Sequence, residues 1–129
     1  MTGGVKDRSQ PVYPFARVAP GTVLVAVDEL GDPGAVSVVF GEGIMRADVA
    51  VVRSGGRIRA FVNSCPHAGT PLETFDGRFF DEADPTILVC STHGARFRAD
   101  DGYCVSGPCQ GLSLRAVAVR IEDGKVIVA

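Results

Sequence analysis

Cysteine and histidine occur together twice in this chain, as Cys65-Pro66-His67-Ala68-Gly69 and as Cys90-Ser91-Thr92-His93-Gly94, with 22 residues between His67 and Cys90. Each stretch offers one thiol and one imidazole just ahead of a glycine. Two thiolates and two imidazoles suit a binuclear [2Fe-2S] centre in which the cysteines hold one iron and the histidines the other. The two donor types do different work. Thiolates are soft and negatively charged and stabilise ferric iron, whereas neutral imidazoles leave their iron less negative and readier to accept an electron, so the potential rises. Glycine lets the backbone turn tightly, so that peptide N–H groups can face the sulfides with no side chain in the way. The cofactor-binding and metal-ligating candidates are therefore Cys65, His67, Cys90 and His93, with Gly69 and Gly94 beside them. No residue stands out as a catalyst.

Two blander explanations compete. A Cys/His foursome also describes structural zinc, although zinc fingers commonly present a cysteine pair followed by a histidine pair, and here each half is mixed. The four residues could also be unrelated, two buried cysteines and two incidental histidines. Against that, the chain has only two histidines, and each lies two or three residues after a cysteine.

Beyond the second stretch the chain runs into Gly102-Tyr103-Cys104-Val105-Ser106-Gly107-Pro108-Cys109-Gln110-Gly111, which contains a Gly-Pro turn. The whole series, C-x-H, C-x-x-H-G and G-P, resembles that of soluble Rieske-type ferredoxins, the low-potential electron carriers of ring-hydroxylating oxygenases, over roughly Gly21 to Val128. The resemblance implies an all-β Rieske-type fold of small antiparallel sheets with a cluster-binding hairpin subdomain, and one [2Fe-2S] cluster. It places Cys65 and Cys90 on an inner iron and His67 and His93 on an outer iron near the surface. Respiratory and photosynthetic members of the family carry a further cysteine in each loop, joined as a disulfide, where this chain has Thr70 and Thr92. They also place a serine and a tyrosine hydroxyl against the cluster where this chain has Ala95 and Phe97. With Pro108 of the third loop, Ala95 and Phe97 complete the residues expected around the ligands. Without the two hydroxyls the reduced cluster is less stabilised, which points to the low end of the family's range of about −150 to +300 mV. The segment between the loops is longer than in compact Rieske ferredoxins.

Dioxygen chemistry of the related oxygenases needs a second iron held by two histidines and a carboxylate. Both histidines here are already assigned, so neither that site nor a histidine-assisted nucleophile can be built. A nicotinamide or flavin fingerprint is missing too: Gly41 and Gly43 lack the third glycine, and position 46 is Arg. The expectation is a non-enzymatic one-electron carrier between a flavoprotein reductase and a terminal oxygenase. Two alternatives remain: a small subunit resembling that of nitrite reductase, or a redox-sensing module that uses Cys104 and Cys109. Five positions apart around a Gly-Pro turn, those two either bond to each other or pack as small apolar side chains.

The remaining sequence must position these groups. At 129 residues the chain suits one hydrophobic core. A formal charge of −2 and scattered basic residues give no basis for nucleic-acid binding. Met1 to Pro14 has neither an apolar signal region nor twin arginines, and no run is long and apolar enough to span a bilayer, so the expected location is the cytoplasm, with no membrane partner. The expected organisation is a flexible segment 1–14 followed by one domain over 15–129. Apolar, β-branched runs at Thr22–Val27, Ala35–Phe40, Asp48–Arg53, Arg57–Val62, Thr86–Val89, Leu114–Ile121 and Lys125–Val128 read as strands, about nine or ten in all with the shorter ones. Ser54-Gly55-Gly56 and Asp123-Gly124 read as hairpin turns. Leu72, Phe75, Phe79 and Phe80 look like local core, and Glu73, Asp76, Asp81, Glu82 and Asp84 form an acidic excess that either steers a basic partner or solvates a loop.

Overall fold

The computed structural model of the chain describes residues 18–43, 46–66, 69–73 and 78–129. The expected lead-in 1–14, His67, Phe75 and Asp76 lie outside the described residues. The apolar runs form strands β1 (Val23–Ala26), β2 (Gly34–Phe40), β3 (Ala47–Ser54), β4 (Arg57–Val62), β5 (Ile87–Val89), β6 (Arg96–Arg98), β7 (Cys104–Ser106), β8 (Ala116–Val117), β9 (Val119–Glu122) and β10 (Lys125–Val128). A 3-10 turn, Val27–Glu29, ends the first strand a residue short of the expected Val27. The all-β expectation holds. Among the described residues every strand pairing is antiparallel, in three sheets ordered β1-β10-β9, β2-β3-β4-β8 and β5-β6-β7.

Strand β3 explains how the sheets stack. Its run Val49-Ala50-Val51-Val52 is buried on both faces. Val49 and Val51 face a core shared with Leu24, Val126 and Val128, while Ala50 and Val52 face a second core with Phe61, Leu72, Leu88, Phe97 and both Cys65 and Cys90. A strand with period-2 side chains and two apolar faces is a central strand, which is why this run shows no polar alternation. One core thus packs the sheet of β3 against the sheet of β1, β10 and β9, and the other packs it against the elements that carry the ligand loops.

The turn between β3 and β4 has positive φ at Gly55 (61°) and Gly56 (81°), and the Asp32 carboxylate accepts both amides at 2.9 and 2.7 Å. The tightness of this hairpin sets where β4 ends and hence where Cys65 begins. One expectation needs correction. Leu114–Ile121 is not a single strand: Val117 pairs with Ala60 of β4, whereas Val119 pairs with Val128 of β10, so the chain changes sheets at Ala118. Strand propensity reports extended backbone, and hydrogen-bond partners are chosen by the packing of the two sheets.

Between the ligand loops, Leu72 and Phe79 are buried and Phe80 packs partly against the same core, as expected. The acidic residues there hold local structure. Asp81 accepts the amides of Ala83 (2.7 Å) and Asp84 (3.2 Å) and pairs with Arg96, and Asp84 accepts the amide (2.9 Å) and hydroxyl (2.6 Å) of Thr86. Glu73 accepts from Asn63 at 2.8 Å. These geometries favour the turn-building role over partner steering. The Ala83 amide and Arg96 hold the Asp81 carboxyl below its ordinary range, and the hydroxyl and amide of Thr86 do the same for Asp84. A carboxyl depressed in the folded state stabilises it above the unfolded value of 3.8, and that stabilisation is lost as pH falls through the folded value. Thermal unfolding is therefore expected to be flat from neutral pH to about pH 5 and to fall below about pH 4. Asp81→Asn should lower the neutral-pH melting temperature and flatten the acid limb, and an unaltered limb would exclude Asp81 as its source.

Candidate metal centre

The two cysteine loops are built on one plan. Strand β4 leads through Asn63 into Cys65, whose N–H donates to Thr70 O at 2.9 Å while Gly69 N–H donates back to Cys65 O at 2.7 Å. Strand β5 leads directly into Cys90, whose N–H donates to Ala95 O at 2.8 Å while Gly94 N–H donates back to Cys90 O at 2.8 Å. Each loop thus needs a left-handed residue four positions after the cysteine, and Gly69 (φ 72°) and Gly94 (φ 76°) supply it. Their own amides close the turns.

Cys65 and Cys90 are 2% and 1% exposed and belong to one buried core, so the two loops bring both cysteines into the same apolar interior. Burial pushes the Cys90 thiol up, the Thr92 amide opposes this, and the neighbouring Cys65 adds to the rise. A soft cation is the natural remedy for two buried sulfurs, because metal binding stabilises the thiolate that burial disfavours. His93, by contrast, is exposed. Two buried soft donors under an imidazole at the surface fit a cluster with its cysteine-bound iron inside and its histidine-bound iron outside.

The loops are also tied to each other. Leu72 O accepts both the amide and the hydroxyl of Ser91 at 2.9 Å, and Thr70 Oγ1 lies 2.9 Å from Thr92 Oγ1. Beneath the first loop Asn63, 3% exposed, accepts Leu72 N–H at 3.0 Å and donates to Glu73 at 2.8 Å and Asp48 at 3.3 Å. Sequence reasoning passed over Asn63 and Ser91, since a lone Asn or Ser at the end of a strand carries no signal of its long-range partner.

The third loop covers the second. A Cβ on Gly107 (φ 97°) would stand 2.8 Å from Ala95 Cα, so only glycine allows this approach. Pro108 beside it is exposed, while Ala95 (1%) and Phe97 (0%) are buried in the core that holds both candidate cysteine ligands. Cys104 and Cys109 are free thiols, buried, with Cys109 Sγ 3.5 Å from Cys104 Sγ and Cys104 Sγ donating to Ser106 O at 3.2 Å. The Cys109 thiol is pushed up to about 12 by burial and by the Cys104 and Cys65 sulfurs. Since Cys104 is engaged by a backbone carbonyl that a hydroxyl serves equally well, Cys104→Ser is expected to keep its full iron content and to cost about 1 kcal/mol of stability. Loss of iron in that variant would mean that the wrong cysteines have been paired with the metal.

A family model of the Rieske [2Fe-2S] domain matches residues 21–119, starting where the sequence resemblance starts and ending before β10. The chain is 35% identical over 124 residues to the cytochrome b6-f complex iron-sulfur subunit of Chlorobaculum tepidum, covering 92% of this chain and 64% of that protein. This chain thus spans less than two thirds of that relative. Among solved structures it resembles a ferredoxin of Sphingomonas yanoikuyae B1, at 28% identity and a TM-score of 0.67 over 84% of this chain and 96% of that one. It also resembles the ferredoxin of carbazole 1,9a-dioxygenase from Nocardioides aromaticivorans IC177, at 27% identity and a TM-score of 0.65 over 86% and 98%. With its two matching cysteine loops, its glycine-proline loop and its three small sheets, the chain belongs to the Rieske [2Fe-2S] domain family and carries one [2Fe-2S] cluster.

Proposed function

We propose that this protein is the ferredoxin component of an oxygenase system, taking single electrons from a flavoprotein reductase and passing them to a terminal oxygenase. The observation that carries this reading is the paired loop geometry, two buried cysteines in one core at the start of matching turns, the second of which exposes His93. In this reading Cys65 and Cys90 hold one iron, and His67 and His93 the other. When bound, the cluster supplies a one-electron couple, with uptake favoured at the imidazole-bound iron. The chain's own groups do the rest. Burial of the cysteines keeps water from their sulfurs, the Thr92 amide offsets charge at Cys90, and exposure of His93 leaves an imidazole edge within reach of a partner's surface. The two ferredoxins are matched along nearly their full lengths, which supports a small carrier. Among the described residues no helix is long and apolar enough to cross a membrane. A cytoplasmic location belongs to the same reading.

The 35% identity to a cytochrome b6-f iron-sulfur subunit favours a second reading, a subunit of a larger electron-transfer complex. The reduction potential separates the two. A carrier with threonines in place of the disulfide and no hydroxyl at 95 or 97 is expected near −150 mV, whereas a value near +300 mV would hand the protein to the second reading. Stopped-flow mixing of the reduced protein with a terminal oxygenase then tests delivery, which the carrier reading requires to outpace oxygenase turnover.

The missing hydroxyls give a further expectation. Ala95→Ser and Phe97→Tyr should each offer a hydrogen bond that strengthens on reduction. Such bonds are worth roughly 1.5–3 kcal/mol to a charged acceptor, only part of which distinguishes the two redox states, so each potential should rise by several tens of millivolts. Unchanged potentials in both variants and in the double variant, with clusters intact, would show that neither side chain faces the cluster.

A further inference from the structure

Two buried thiols lie outside the candidate ligand set. Cys104 is 0% and Cys109 2% exposed, and Cys109 Sγ lies 3.5 Å from Cys104 Sγ. One leucine holds their backbones together: Leu112 O accepts the Cys104 N–H at 2.8 Å, and Leu112 N–H donates to Cys109 O at 2.9 Å. A disulfide bond is about 2.05 Å long, so closing the 3.5 Å gap asks each sulfur to move by about 0.7 Å. The two sit differently on the chain. Cys104 lies on β7, where its thiol donates to Ser106 O at 3.2 Å. Cys109 is the one buried residue of the turn 107–113, whose other six residues are exposed. Opening of that turn therefore carries Cys109 to solvent and leaves Cys104 in the core.

We propose that Cys104 and Cys109 are a second redox site, a dithiol that closes to a disulfide by exchange with a small-molecule disulfide and so pins the third loop over the second ligand loop. The Cys109 sulfur, as thiolate, first attacks the small disulfide, which gives a mixed disulfide and releases one small thiol. The Cys104 sulfur then displaces the second half. Two protein S–H bonds and one small-molecule S–S bond are thus exchanged for one protein S–S bond and two small-molecule S–H bonds. The protein gives up two electrons and two protons, and the small disulfide takes them. The tie reaches the metal centre through the backbone. A Cβ on Gly107 would stand 2.8 Å from Ala95 Cα, so the loop that the bond holds is seated on Ala95, and Ala95 O accepts the N–H of Cys90 at 2.8 Å. The pinning rests on the assignment of Cys90 as a ligand made above, whereas formation of the bond does not.

Trypsin sorts the cysteines for the test. Arg98 and Arg115 bracket Cys104 and Cys109 with no lysine or arginine between, whereas Cys65 and Cys90 fall on the peptides 60–78 and 79–96. The cluster-loaded protein, incubated with oxidised glutathione, alkylated and digested, is expected to give the peptide 99–115 unalkylated and lighter by two hydrogen masses. Dithiothreitol should restore two alkylated thiols. Cys104→Ser is expected to trap one glutathione on Cys109, and Cys109→Ser to take up none, because only Cys109 rides on the exposed turn; the reverse pattern would overturn Cys109 as the attacking sulfur. Iron release to a chelator should be about tenfold slower from the disulfide form than from the dithiol, since the cross-link removes open states of the turn. A peptide 99–115 that stays doubly alkylated after a day and after a week alike would overturn the site, as would a bond joining 99–115 to 60–78. Equal iron release from the two forms would overturn the pinning. Absence of a mixed cysteine/histidine spectrum from the parent would instead sink the ligand assignment, and the peptide masses would still decide the bond.

Discussion

Replacing His93 by cysteine is expected to abolish the mixed-ligand electron paramagnetic resonance signature and to lower the potential by on the order of 250 mV, if a cluster forms at all. The size follows from charge. An imidazole is neutral, and a thiolate in its place adds one negative charge to the iron that takes up the electron, which moves the site from the Rieske range towards the roughly −400 mV of plant-type ferredoxins with four cysteines. The fold should tolerate the change, because His93 is exposed and the turn that holds it is made by backbone bonds, Gly94 N–H to Cys90 O and Cys90 N–H to Ala95 O. Circular dichroism in the peptide region is thus expected to be unchanged while the visible spectrum is lost or altered. His67→Cys should behave alike on the ligand assignment proposed above. A variant that kept the parent's spectrum and potential would strike that histidine from the ligand set.

The largest loss of stability is expected at Asn63, which no cluster chemistry touches. Its side chain accepts the buried Leu72 amide and donates to the Glu73 and Asp48 carboxylates, which holds the start of the first loop to strand β3 and to the segment beyond Thr70. Asn63→Leu keeps the approximate volume and removes every one of these bonds. An unpaired buried N–H costs about 1–3 kcal/mol, and loss of hydrogen bonds to two carboxylates adds to this, so the expected cost is about 3 kcal/mol. In a domain of this size that is a fall of roughly 10 °C in melting temperature. The loop should loosen with it, so cluster loss in the presence of a chelator is expected to accelerate well before global unfolding. A change within the roughly 0.5 kcal/mol of an ordinary surface substitution would show that the Leu72 amide finds another partner.

What was legible in the sequence was what short spacings control. The C-x-H and C-x-x-H pairs, the glycines four residues after each cysteine, the Ser-Gly-Gly and Asp-Gly turns and the β-branched runs all act within a few residues, and they specify an all-β chain with two alike cysteine loops. Even there, the single run Leu114–Ile121 became two strands in different sheets, because an extended backbone is a local property and its hydrogen-bond partner is not.

The sequence by itself determined the candidate donor set, the turn chemistry of both loops and the absence of hydroxyls at 95 and 97. The tertiary structure alone decided that β3 is buried on both faces, that Asn63 braces Leu72, and that Thr70 and Thr92, 22 positions apart, meet at 2.9 Å. It also decided that Cys104 and Cys109 lie side by side as thiols and that Gly107 rests on Ala95. The physical reason is one of range. Backbone conformation is set mainly by each residue and its near neighbours, whereas the partner of a side-chain hydroxyl, amide or thiol is whatever the closing of distant chain segments around a common core brings within about 3 Å of it.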